Sequence, residues 1–328
     1  MRTNKFLVIA LAAAGLFTAC SNNDEPVKMN QGKAISFRLQ GGMPEAKTTA
    51  STVANVDAFV VYGNDNATAN MFETGATVAR QIVGGIPAGF AYAPTRYYDD
   101  AATDAAFVAY SPASTIFSTV NATNVLGSIS EFTYTVPAPA TTGNTSQIDL
   151  LFAVSGTITP SATPVQLDFI HALSRVFVKA KNTTNDPVTI KKLTLKELIS
   201  TGTIRVLAGA GSWNWIWPAP SYADYAYVLA TTGVIVPGDG ATADYELVTS
   251  MEQGMMVLPQ TLDASCVLEV EYEFATQGTQ TKEFNIASAI ASFAINSQYS
   301  INIEFTGTAV SFDIKVEPFG AITDVVIP

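Results

Sequence analysis

The sequence has little of what metalloenzymes and nucleic-acid binders are built from. It holds one histidine and two cysteines in 328 residues, so the common His/Cys metal sites can hardly be assembled, and no cofactor is expected. Only 14% of residues are charged, and 17 basic residues against 28 acidic ones give a net charge of −11. No basic stripe is present, which leaves nucleic-acid binding without support. No Gly-x-Gly-x-x-Gly, phosphate loop or Ser-centred elbow occurs. Carboxylates are plentiful, but nothing marks out a glycosidase pair, so the chain is read as no enzyme. Helical periodicity of any length is missing after the N-terminus, and no apolar run is long enough to cross a membrane comfortably. What remains is 48% apolar residues, ample for a core and too many for a disordered chain.

The first residues are read as a targeting segment. Arg2 and Lys5 precede the apolar run Phe6–Phe17, and Thr18-Ala19-Cys20 follows. A short basic segment, a short apolar one and small residues before a break read as a secretory signal over 1–19. Cys20 stands where a bacterial lipoprotein signal places its acylated cysteine, although Phe17 replaces the usual aliphatic residue. The polar, acidic stretch Ser21–Glu25 opens a tether over 20–31. If Cys20 carries lipid, Cys266 has no partner for an intramolecular disulfide. Cys266 begins Cys266–Phe274, where even positions are apolar and Glu269, Glu271 and Glu273 alternate with them. Period two puts the thiol on the buried face as an inert core group.

Strand signals dominate the rest. Val165, Leu167 and Phe169, then Val176, Val178 and Ala180, and finally Tyr299, Ile301, Ile303 and Phe305 alternate with polar residues. Phe59–Tyr62 is expected to end at the turn cluster Gly63-Asn64-Asp65-Asn66. Val188 and Ile190, then Leu193 and Leu195, keep period two but slip phase at Lys191-Lys192, as a bulge would. Many short strands punctuated by Gly and Pro predict an all-β chain of sandwiches or barrels. Two sandwiches in series fit the length, 32–160 and 161–328, with the boundary near Pro160 and Pro164.

The segment Asp168-Phe169-Ile170-His171-Ala172-Leu173-Ser174-Arg175-Val176 resembles a signature of the fimbrillin family, the subunits of Bacteroides-type surface pili. Phe59–Gly63, Tyr92–Tyr98, Phe107–Pro112, Gln147–Ala153 and Val257–Gln260 resemble further family elements in the same order. Val316-Glu317-Pro318-Phe319 has Phe where many relatives have Trp. The resemblance implies two transthyretin-like β-sandwich domains, export as an outer-membrane lipoprotein, trimming by a trypsin-like protease, and head-to-tail polymerisation with other fimbrial subunits by donor-strand exchange. The membrane would be met through the lipid alone.

Candidate residues follow. Lys47 is the one basic residue in the Gly/Pro-containing stretch Gly41–Thr49 and is the expected cleavage site. A cut there removes the strand bearing Ile35, Phe37 and Leu39. Val310, Phe312, Ile314 and Val316 repeat its pattern and are the expected donor strand; alternatively they form the last strand of their own domain, leaving Phe319–Pro328 to reach out. Trp213, Trp215 and Trp217 share one face of a strand, either as packing or as a candidate platform for a host or glycan ligand. His171 is read as a hydrogen-bonded strand histidine, and Asp99, Asp100 and Asp104 as a solvated loop without the closing Glu of a calcium site. The other functional readings are a non-polymerising surface lipoprotein that binds a ligand, and a tip or anchor subunit.

Overall fold

The computed structural model describes residues 33–39, 56–67, 71–72, 74–83, 86–139, 146–229, 232–238, 240, 244–249, 254–275, 277–306 and 309–318. Cys20 and Lys47 lie outside them. The strands are β1 (Phe37–Leu39), β2 (Ala58–Asp65), β3 (Ala76–Val83), β4 (Ile86–Ala91), β5 (Ala105–Ser111), β6 (Thr119–Asn121), β7 (Ser130–Thr135), β8 (Leu151–Val154), β9 (Val165–Leu167), β10 (Ile170–His171), β11 (Ser174–Asn182) and β12 (Val188–Ile199). They continue with β13 (Thr201–Leu207), β14 (Ser212–Ile216), β15 (Tyr222–Val228), β16 (Val234–Val236), β17 (Glu246–Leu247), β18 (Met255–Val257), β19 (Gln260–Thr261), β20 (Val267–Phe274), β21 (Gly278–Asn285), β22 (Ser292–Phe293), β23 (Ser297–Thr306) and β24 (Ala309–Pro318). The fold is all-β, as the alternation predicts; the helical pieces among the described residues are short 3-10 turns such as Ala208–Ala210.

A six-stranded antiparallel sheet, β10-β8-β5-β2-β3-β4, forms the first half. On one face, Ile35, Phe37, Val165 and Leu167 around the parallel pair β1–β9 pack against Phe59, Val61, Phe107 and Ala109. On the other face, Tyr62, Val108, Tyr110 and Phe152 share a core with Phe132, Ile204 and Val206 of the sheet β14-β13-β7-β6. Strand β5 is therefore buried along its whole length, which is why it reads as an unbroken apolar run instead of an alternation.

The second half pairs two sheets face to face. One runs β17-β11-β23-β24, the other β15-β12-β20-β21. Inward residues of each strand, such as Val178, Ile303, Leu193 and Val270, are fully buried in one apolar cluster. Strand β20 carries the predicted period two, with Leu268, Val270 and Tyr272 inward and the three glutamates outward. The predicted phase slip is present as well: β12 changes register against β20 between Ile190 and Lys192. A second irregularity, between Leu195 and Leu198 against β15, surrounds Glu197 at a positive φ of 57°.

Hydrogen bonding crosses the region around residue 160. Strand β7 pairs with β13 from Thr135↔Thr201 to Ser130↔Val206. Strands β9 and β10 pair back onto β1 and β8.

One expectation is corrected. Gly63-Asn64-Asp65 does not end β2; the strand runs on through Asp65. Gly63 is needed because the Phe107 ring covers it, where a Cβ would lie 2.3 Å from the ring. Asn64 donates to Asn124 Oδ1 at 3.1 Å and accepts from the Leu126 amide at 3.0 Å. Asp65 accepts from the amides of Ala67 and Asp99. Asn64 thus ties β2 to the loop at 124–126, and Asp65 both bends the chain after β2 and holds the Asp99 loop.

Candidate functional site

Strand β1 is short, three residues from Phe37 to Leu39. Its registers with β9 are Phe37↔Val165, Arg38↔Gln166 and Leu39↔Leu167, with the Val165 amide donating to Ser36 O at 2.7 Å. On the other side, Ile35 N donates to Arg96 O at 3.0 Å and Tyr98 N to Lys33 O at 3.1 Å. Tyr92 Oη donates to Ile35 O at 2.9 Å. The segment thus lies in a slot between β9 and residues 96–98.

The floor of the slot is aromatic. The Phe37 ring meets Phe107 at 5.4 Å, Phe72 and Tyr92 at 5.9 Å and Phe59 at 6.1 Å, mostly edge to face, the geometry that ring quadrupoles favour. Ile35 and Phe37 are buried, and Leu39 packs on the same cluster. Arg38 points outward to Gln166 Oε1 at 3.0 Å. Arg96 lies over the Phe72 ring at 4.8 Å. Burial also pushes the Tyr98 hydroxyl well above its usual range.

The other end of the chain forms an edge. Strand β24 pairs with β23 without a break from Thr306↔Ala309 to Ser297↔Pro318. Among the described residues its one neighbour in the sheet is β23. Val310, Phe312 and Ile314 are half-buried against the second core, Phe312 meets Phe284 at 4.9 Å, and Val316 is 55% exposed. The strand therefore has the expected one-sided pattern and sits in its own sheet.

The three tryptophans share a face, and that face is the core side. Trp215 is buried, and its Nε1 donates to Ala172 O at 2.8 Å. Trp213 packs on Phe152 at 5.0 Å. Trp217 is half-buried on the same cluster, and its Nε1 has no partner among the described residues. All three indoles pack on that core cluster, Trp213 and Trp217 while still half-exposed.

His171 is buried, with Nδ1 2.7 Å from Asp149 Oδ1. Beside it lies a group the sequence reading passed over: Arg175, 2% exposed, which donates to Gln298 Oε1 from Nε and Nη2 and stacks over Phe177. Burial pulls its guanidinium down to about 10, with the Asp149 carboxylate opposing the shift. A lone arginine in the apolar strand Ser174–Ala180 was the signal for this network. The Asp99–Asp104 loop satisfies itself: Asp99 accepts from Ala101 N, and Asp104 from Asn66 and Thr103. Cys266 is buried beside Glu197 O, and desolvation raises its thiol pKa.

A family model described as fimbrillin-like matches residues 46–318. The chain belongs to the fimbrillin-like family. No curated protein matches it significantly. Among solved structures it is similar to a fimbrial protein from Bacteroides vulgatus (14% identity, TM-score 0.58), covering 87% of this chain and 99% of that one. It is also similar to candidate cell adhesion proteins from Bacteroides uniformis (17%, 0.51, 87% and 98%) and Bacteroides ovatus (17%, 0.50, 90% and 99%). These likenesses concern the fold, which this fimbrillin-like chain shares over nearly the whole of each. Membership supports a fimbrial or adhesion-type surface protein, structural in character.

Proposed function

We propose that this chain is a structural subunit of a surface fimbria, exported as an outer-membrane lipoprotein acylated on Cys20, trimmed after Lys47 and polymerised head to tail by strand exchange. The observation that carries the reading is the attachment of β1. Ile35, Phe37 and Leu39 fill an aromatic slot, and the chain that joins them to β2 contains Lys47. A cut there leaves the segment held by non-covalent contacts alone. Its loss would expose the Phe59–Phe72–Tyr92–Phe107 floor and free backbone groups along β9 and residues 96–98, a costly edge that templates another strand.

The replacement comes from a neighbouring subunit's C-terminal end. Val310-Ser311-Phe312-Asp313-Ile314, followed by Val316, matches Ile35-Ser36-Phe37-Arg38-Leu39 in sequence. Donation by β24 requires its pairing with β23 to break; donation by residues 319–328, which lie outside the described residues, does not. Either contact is heterologous and builds an open filament. Two transthyretin-like sandwiches divided near 160–165 suit this arrangement, although the core that holds Ile303 also takes in Tyr62, Phe132 and Phe152, and the one around Phe37 takes in Val165 and Leu167. N-terminal sequencing of sheared surface fimbriae tests the reading. A subunit beginning at Thr48 is expected; one beginning at Cys20 would make the chain an anchor or a plain lipoprotein.

A further inference from the structure

At one end of the second sandwich, three turns surround a cavity of about 430 Å³. Thr184 and Asp186 come from the β11–β12 turn, Gln277 and Gln280 from the β20–β21 hairpin, and Thr306 and Val310 from the β23–β24 hairpin. Turns gathered at the end of a rigid sandwich are where such folds place binding groups. The volume lies within the ~300–1,000 Å³ range of small-molecule pockets.

The lining has two parts. The floor is apolar, formed by Tyr272, Phe274 and Val310, with Phe305 beneath Tyr272 at 5.1 Å. The rim is polar, and part of it is already ordered: Tyr272 Oη donates to Gln280 Oε1 at 3.1 Å, and Gln280 Nε2 to Gln277 Oε1 at 2.9 Å. Three side-chain groups have no partner among the described residues: Gln277 Nε2, the Lys282 ammonium and the Asp186 carboxylate. Lys282 stands opposite Val270 on β21 and is exposed. A lysine on an edge strand also deters edge-to-edge pairing, but that role asks nothing of Asp186 or Gln277.

We infer that this cavity binds a neutral saccharide, an adhesive activity separate from subunit assembly. One anionic and one cationic group leave the site without net charge, so it favours no ionised ligand. Vicinal hydroxyls both donate and accept: the Asp186 carboxylate would take their protons in hydrogen bonds, while Gln277 and Lys282 would donate to their oxygens. The half-buried Phe274 and Val310, beside the buried Tyr272, offer an apolar strip to one face of a sugar ring.

The test uses the full chain on an array of immobilised neutral, sialylated and sulphated oligosaccharides. Wild type should retain neutral glycans. Asp186→Ala and Gln277→Ala, both exposed positions that leave folding intact, should each weaken retention about tenfold or more. Trp213→Phe should bind like wild type. Retention of no glycan, retention of acidic glycans only, or equal binding by both cavity variants would overturn the assignment.

Discussion

Replacing Phe37 with alanine probes the slot directly. The ring is 5% exposed and touches four other aromatic rings. Truncating a buried Phe to Ala costs about 3–5 kcal/mol through lost transfer energy and the cavity left behind. Edge-to-face pairs add roughly 0.5–1.5 kcal/mol each, partly overlapping with that figure, which places this site near the upper end. With about 2–4 °C of Tm per kcal/mol for a body of this size, F37A should unfold roughly 8–20 °C earlier in scanning calorimetry. Arg38→Ala, one residue along and facing outward, should change Tm by no more than about 2 °C. A comparably small shift for F37A would mean that the ring does not hold the first sandwich together, and the account of a slot worth refilling would fail.

Three further outcomes are expected. Burial raises the Cys266 thiol pKa, so unfolding exposes a thiol that ionises more readily; stability is fully present below the free-thiol pKa of about 8.5 and falls as pH rises through it. Denaturant titrations between about pH 8 and 9.5, below the range where the buried tyrosines add the same slope, should show it in wild type and not in Cys266→Ala, and a thiol reagent should label the native protein slowly. Trp215→Phe removes the donor to Ala172 O and should cost about 1–3 kcal/mol in urea unfolding, while native tryptophan emission should be blue-shifted. Cys20→Ala should abolish incorporation of a fatty-acid probe and release soluble protein, because stable anchoring needs more than one acyl chain; an unlabelled wild type would refute the lipid assignment.

Much of the fold was legible because half-buried strands write their orientation into every second residue. Cys266–Phe274 is read off correctly on that ground; in β23 Tyr299, Ile301, Ile303 and Phe305 are buried as expected, but so are the alternating Gln298, Ser300 and Asn302. The phase slip at Lys191-Lys192 became a real bulge for the same reason. The turn cluster at Gly63–Asn66 misled because turn chemistry is local: nothing near it in sequence reveals that the Phe107 ring presses on Gly63, or that Asn64 and Asp65 hold loops sixty-two and thirty-four residues away. Strand pairing across residue 160 was likewise hidden, since β7 and β13 meet only through tertiary packing. Period two put the three tryptophans on one face but could not say whether that face meets solvent or core; the Phe152 ring decides it for Trp213. The Phe37 slot was half visible, as a strand pattern without its pocket.

Disulfide trapping between subunits tests assembly most directly. Tyr97, 45% exposed and bridged to Ala34 beside the slot, is replaced by cysteine in one series, and Phe312 or Ile322 in the partner series. Assembled fimbriae carrying Tyr97→Cys with Phe312→Cys, or with Ile322→Cys, should give oxidised ladders that reduction collapses to monomer. Ladders from neither pair, in filaments that still assemble, would contradict C-terminal strand donation into the β1 slot.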